Sequence, residues 1–191
     1  MRAKNEMCRV SLLLVAANLA GCGSIAAVED LPTSQASRVV IHEGLPHPIN
    51  ESAAFKAEKA GPKPIVERVG YWFYRDPLEV KPDDLAKLTR TLGDSSTYRS
   101  FVGEKKCGGF HPDYLVEWRE GTSERAALLC FGCGEAKVVG PKGEHRYDLD
   151  KPAQTTLRTL LDAYRKNRPD PATTGGPSGE AADPAIRPGS P

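Results

Sequence analysis

Apolar positions along this chain repeat with two different periods. Tyr114, Val116 and Trp118 alternate with Leu115, Glu117 and Arg119, the period of two that marks a strand with one drier face. Gly121, inside residues 120–124, predicts a hairpin turn, and residues 125–131, apolar on both faces, predict an interior return strand. Gly132 and Gly134 bracket Cys133 and predict a bend or bulge before residues 136–139 resume the chain. A helical period governs Leu85, Leu88 and Leu92: Pro82, Asp83 and Asp84 open that helix, and Gly93 is expected to close it in a left-handed cap. A second helix carries Leu157, Leu160, Leu161 and Tyr164, with Asp150 as its cap and Pro152 in its first turn. Its end is basic, Arg165, Lys166 and Arg168, which suits the negative pole of the helix dipole.

Weaker patterns fill the gaps. Residues 38–42 predict a short strand running into a turn, since Pro46 and Pro48 exclude a helix. Residues 50–60, alanine-rich around Phe55, predict a modest helix stopped by Gly61 and Pro62. Residues 65–75, dense in β-branched and aromatic side chains, predict one central strand whose aromatics fill the core. Residues 147–149 predict a last short strand. The sum is an α+β fold: a small, mostly antiparallel sheet of four to six strands with two or three helices packed on one face.

The amino terminus has a different character. Arg2, Lys4 and Arg9 precede an apolar run over residues 10–20, whose 11 residues fall short of the roughly 20 needed to cross a bilayer, so it reads as an export leader. The run ends Leu19-Ala20-Gly21-Cys22, which resembles the lipobox of bacterial lipoproteins. That resemblance implies cleavage after residue 21, a diacylglyceryl group on the Cys22 thiol and acylation, such as palmitate, of its freed amine. Several acyl chains hold a protein at a membrane where a single chain would exchange. Gly23 follows where retained members of that family carry aspartate, so the resemblance implies the outer membrane in a host with two membranes. In any other host it implies the outer face of the cytoplasmic membrane.

Four segments follow from these patterns: a leader over 1–21, a lipidated tether over 22–37, a globular domain over 38–167, and a tail over 168–191 with six prolines and four glycines. Extended, the tether reaches about 50 Å from the lipid at roughly 3.4 Å per residue. Without its leader the chain holds 23 basic and 24 acidic residues. That balance argues against nucleic acid as a partner, which requires a basic excess on one face.

The chemistry-bearing residues cluster between Cys107 and Cys133. Cys107, His111, Cys130 and Cys133 are delivered by the two ends of the predicted hairpin, and three chemistries fit them. A structural disulfide among Cys107, Cys130 and Cys133 suits an exported domain. A zinc site with Cys107, His111, Cys130 and Cys133 as ligands is the second; Cys130-Phe-Gly-Cys133-Gly resembles a zinc-ribbon knuckle. A thiol-disulfide exchanger using Cys130 and Cys133 is the third, although no helix follows to activate the thiol. A Cys107 and His111 dyad lacks an evident third group. His42, Glu43 and His47 miss the zinc-helix spacing by one residue and are expected at the surface or in a turn.

The segments Glu43-Gly-Leu-Pro-His47, Lys106 to Tyr114 and Cys130 to Gly134 resemble those of a group of bacterial exported proteins, which implies a shared fold and no mechanism. The expectation is therefore a lipid-anchored envelope protein that binds an envelope partner or serves as a structural module. No catalytic residue and no cofactor is assigned to it, zinc being the alternative.

Overall fold

Alternating side chains build the core of the computed structural model, which describes residues 30–169. The leader, the lipobox with Cys22, the first part of the tether and the tail beyond residue 169 lie outside the described residues. In chain order the elements are β1 (Ser37–Glu43), α1 (Ser52–Ala60), β2 (Ile65–Arg68), β3 (Tyr71–Tyr74) and α2 (Pro82–Gly93). A short 3-10 turn, Ser95–Thr97, leads into β4 (Tyr98–Ser100). Then come β5 (Tyr114–Glu120), β6 (Ser123–Cys130), β7 (Glu135–Gly140), β8 (Gly143–Leu149) and α3 (Lys151–Asp162). Six strands form one antiparallel sheet in the order β1-β5-β6-β7-β8-β4, and β2 with β3 makes a separate two-stranded ribbon. The class is α+β, as the sequence predicts.

Each face of the sheet is sealed by a different layer. Tyr114, Val116 and Trp118 of β5, Ala127 and Leu129 of β6, and Ala136 and Val138 of β7 share one face. They pack against Leu88 and Leu92 of α2 and Leu157, Leu160 and Leu161 of α3. Leu115, Ala126 and Leu128 point the other way, onto Phe73 of β3. Fully burying a side chain of this size contributes roughly 1.5–3 kcal/mol, so the two layers together account for most of the driving force.

Several local expectations change. The aromatic run is not one central strand: Val69 and Gly70 both take positive φ (51° and 76°) and reverse the chain into the β2–β3 ribbon. That is the geometry of a two-residue hairpin turn, which Gly70 permits. The bend after Cys130 is a full reversal, with Cys130 opposite Glu135 and Gly134 at φ 66°, so β7 is a new strand beside β6. Gly93 ends α2 without a left-handed cap; it is needed because a Cβ there would lie 2.3 Å from the Pro32 carbonyl oxygen. Asp150 stands at the start of α3 but makes no side-chain cap, and its carboxylate instead accepts from Arg99. The stretch before β1 packs on the domain: Leu31 joins the core, and Asp30 lies against Gly140 and pairs with Arg125 at 3.4 Å.

The hairpin register, open in the sequence, is Tyr114 opposite Leu129 through Glu120 opposite Ser123. This register brings the end of β1, the start of β5 and the end of β6 to the same edge of the molecule, where the cysteines lie.

Candidate functional site

At that edge the strands diverge and leave a cavity of about 540 Å³. Its floor is made by Glu43 at the end of β1, Asp113 and Tyr114 at the start of β5, and Cys130 and Phe131 at the end of β6. One wall is the loop before β5, with Lys106, Cys107 and His111, and the loop before α1, with His47 and Glu51. The opposite wall is α3 and the chain that leaves it, with Arg158, Asp162, Arg165 and Arg168.

Cys107 and Cys133 are joined by a disulfide, with Cα atoms 5.5 Å apart, and Cys130 is a free, buried thiol. The bridge pins a loop that turns on Gly108 and Gly109, both at positive φ (85° and 93°), to the reversal between β6 and β7. Burial pushes the Cys130 thiol up, only partly offset by backbone N–H groups of His111 and Cys133 directed at its sulfur. Such a thiol stays protonated at neutral pH and is a poor nucleophile. The activated thiol that an exchanger needs is therefore missing, and β7, not a helix, follows Cys133.

All four residues of the zinc set reach the cavity, but two of their sulfurs are bonded to each other. Among the described residues no group of three or more His, Cys, Asp or Glu side chains is arranged to hold a metal ion. The set does not fit zinc while the bridge is closed, and the same bridge removes Cys107 from any dyad with His111.

His111 is 8% exposed, and its imidazole is driven down to about 4, chiefly by burial and further by His47 and Arg168. Its ring lies 4.9 Å from that of His47. His47 Nδ1 accepts from the backbone N–H groups of Ile49 and Asn50, each at 3.1 Å, which places the proton of the neutral ring on Nε2. The two imidazoles thus sit side by side at one end of the cavity.

The largest correction concerns Glu43 and His42, expected at the surface. Glu43 is 1% exposed and His42 6% exposed. His42 Nδ1 meets the Tyr74 carbonyl oxygen at 3.1 Å, and its Nε2 lies 3.7 Å from Glu117. The Glu43 carboxylate accepts three successive backbone N–H groups, from Lys166 at 3.2 Å and from Asn167 and Arg168 at 2.8 Å each. Arg165 Nε approaches it at 3.5 Å. A buried charge with this many donors is stabilised where an unpaired one would not be tolerated.

Arg168 completes the wall. Its guanidinium, 11% exposed, donates to Asp113 Oδ1 at 2.7 Å and to Glu51 Oε2. Asp113 Oδ2 in turn accepts the Phe131 backbone N–H at 2.7 Å. Burial alone would raise the Glu51 carboxyl, but the His47 N–H it accepts and Arg168 outweigh that and hold it low. Asp162 accepts from the Tyr114 hydroxyl at 2.8 Å. The basic residues after α3, expected to serve the helix dipole, instead hold residues 163–169 as a strap across β1 and β5.

Sequence reasoning found Cys107, His111, Cys130 and Cys133 and missed Glu43, Glu51, Arg158, Asp162 and Arg168 as a group. Glu43 and Arg168 are 125 positions apart, and no spacing rule links them. The one usable signal was a glutamate placed between Ile41 and Leu45, where the strand period asks for an apolar residue.

No protein-family model matches the chain, and no curated protein or solved structure is detectably similar to it.

Proposed function

We propose that this chain is a lipid-anchored protein of the cell envelope whose α+β domain is a binding module and not a catalyst. The reading is supported by one observation above the others: the cavity is preformed, yet its reactive groups are withheld. The Cys130 thiol is buried and protonated, Cys107 and Cys133 are bonded together, and His111 is too weak a base for efficient proton transfer near neutral pH. A volume of about 540 Å³ lies within the usual range for small-ligand sites, and its walls are tied by one covalent bond and several ion pairs. A site held this rigidly loses little freedom on binding. The leader and lipobox support the anchor: Cys22 is the acylated residue, and the tether lets the domain meet an envelope partner away from the lipid.

Intact mass of the full-length protein extracted from envelopes tests both halves. The expected species begins at Cys22, carries acyl chains, and takes up one iodoacetamide only after denaturation. A polypeptide that keeps residues 1–21 without acyl chains overturns the anchor. Rapid alkylation of Cys130 in the native protein overturns the withheld site.

A further inference from the structure

Hydrogen-bond supply and demand in the cavity do not balance, and the imbalance has a sign. On the acceptor side, both oxygens of Glu43, Asp113 and Asp162 already receive donors, and Glu51 receives two through Oε2, which leaves its Oε1 as the one carboxylate oxygen of the lining without a donor among the described residues. On the donor side, Lys106 has no partner among the described residues. Arg158 is 61% exposed and engages Asp162 through Nε alone, at 3.4 Å, which leaves both terminal nitrogens without acceptors. His111 makes no side-chain hydrogen bond although it is nine-tenths buried; unlike the sealed Nε2 of His47, its ring nitrogens are open to the cavity. A ring nitrogen that opens into the cavity without a protein partner is available to a ligand group placed there.

We infer that the cavity takes a ligand through an oxyanion, a carboxylate or a phosphate, held between Lys106 on one wall and Arg158 on the other with His111 donating from beneath. The inference rests on the reading of this cavity as a binding site. Formal charge within the cavity is balanced, so attraction comes from directed N–H groups and not from a general positive field. Arginine in particular meets carboxylate and phosphate oxygens through paired N–H bonds, and two terminal nitrogens of Arg158 are free to do so. Neutral His111 can present one N–H to an oxyanion without bringing a charge into a buried position. Apolar surface from Phe131 and the disulfide is available to the remainder of the ligand.

Titration of the full-length protein, followed by amide and histidine NMR shifts, separates the outcomes. The probes are inorganic phosphate, succinate and the uncharged acetamide, with sodium chloride matched for ionic strength. The expected result is saturable shifts at His111, Phe131 and Cys133 with phosphate or succinate and none with acetamide; the stronger of the two identifies which oxyanion is read. Lys106→Gln with Arg158→Gln, both exposed positions, is expected to weaken that binding at least about tenfold while the remaining resonances stay in place. Binding that survives the double substitution overturns the inference. Acetamide binding in the cavity with no oxyanion response overturns it and leaves the binding-module reading standing. No response at cavity resonances to any of the three overturns both.

Discussion

Acidification should weaken this fold in part through His111, by an amount that follows from its burial. The imidazole titrates at about 4 in the folded chain against an ordinary value of 6.5. Burial is the main cause, His47 and Arg168 add to it, and Asp113 and Glu51 only partly oppose it. Between those two values the unfolded chain binds the proton and the folded chain does not, so stability falls as pH falls. Above a pH of about 8 the residue contributes no slope, and at pH 7 about a quarter of it remains, roughly 0.3 kcal/mol per pH unit. By a pH of about 4.5 the accumulated loss is about 2.5 kcal/mol. At a urea slope of roughly 1.7 kcal/mol per molar, the unfolding midpoint moves by about 1.5 M. His111→Gln retains a polar side chain that does not titrate, so comparing urea denaturation of the variant and the wild type at both pH values cancels the other groups. The wild type should lose about 2.5 kcal/mol more than the variant. Equal losses in the two proteins would show that His111 is protonated in the fold, and the account of the cavity as desolvated at that end would be wrong.

Two further perturbations address the walls of the cavity. Removing the bridge by Cys107→Ser with Cys133→Ser should destabilise the domain by about 3.5 kcal/mol, the loop-closure entropy for a separation of 26 residues. Urea midpoints of the oxidised wild type and the variant measure it, and coincident curves would remove the bridge from the list of stabilising features. Glu43→Gln should loosen the strap, because the amide nitrogen that replaces one oxygen accepts nothing, so at least one of the backbone N–H groups of Lys166, Asn167 and Arg168 loses its acceptor, and the charge that strengthens the others is gone. Trypsin should then cut after Arg165 and Lys166 at least about tenfold faster in the native protein, and an unchanged cleavage rate would sink the idea.

How legible each part was in the sequence depended on how local its cause is. The β5–β6 hairpin and both long helices were readable because their periods are written in consecutive residues such as Tyr114, Val116 and Trp118, or Leu85, Leu88 and Leu92. The β2–β3 ribbon was missed because the β-branched and aromatic residues on either side mask a turn that only Gly70 betrays. Strand β4 was missed because three residues carry no period; it is held by pairing with β8, at Tyr98 with Leu149, which is a tertiary cause. The cysteine cluster was visible as a cluster, since three thiols and an imidazole lie within 27 positions. Which thiols pair was not, because that depends on where the loop of Gly108 and Gly109 lands on the reversal after β6. The ion-pair wall was invisible for the same reason: Glu43, Glu51, Asp113 and Arg168 meet only once four separate elements have packed.

The cavity has two closures of different kinds, and they carry different halves of the proposed clamp. A covalent bond fixes the loop that bears Lys106, since Cys107 is its neighbour and is tied to Cys133. Charge fixes the other side: Glu43 holds the backbone of residues 166–168, and Arg168 spans to Asp113 and Glu51. Arg158 sits on α3, just before that strap. The first closure responds to reductant; the second rests on charge and hydrogen bonding and is indifferent to reductant. Asp113 links the two, because it accepts from Arg168 through one oxygen and from the Phe131 backbone through the other, two residues before Cys133. A half-buried carboxylate joining a cysteine turn to a carboxy-terminal strap, together with the disulfide and the Glu43 contacts, explains why a cavity assembled from distant segments is preformed without a ligand.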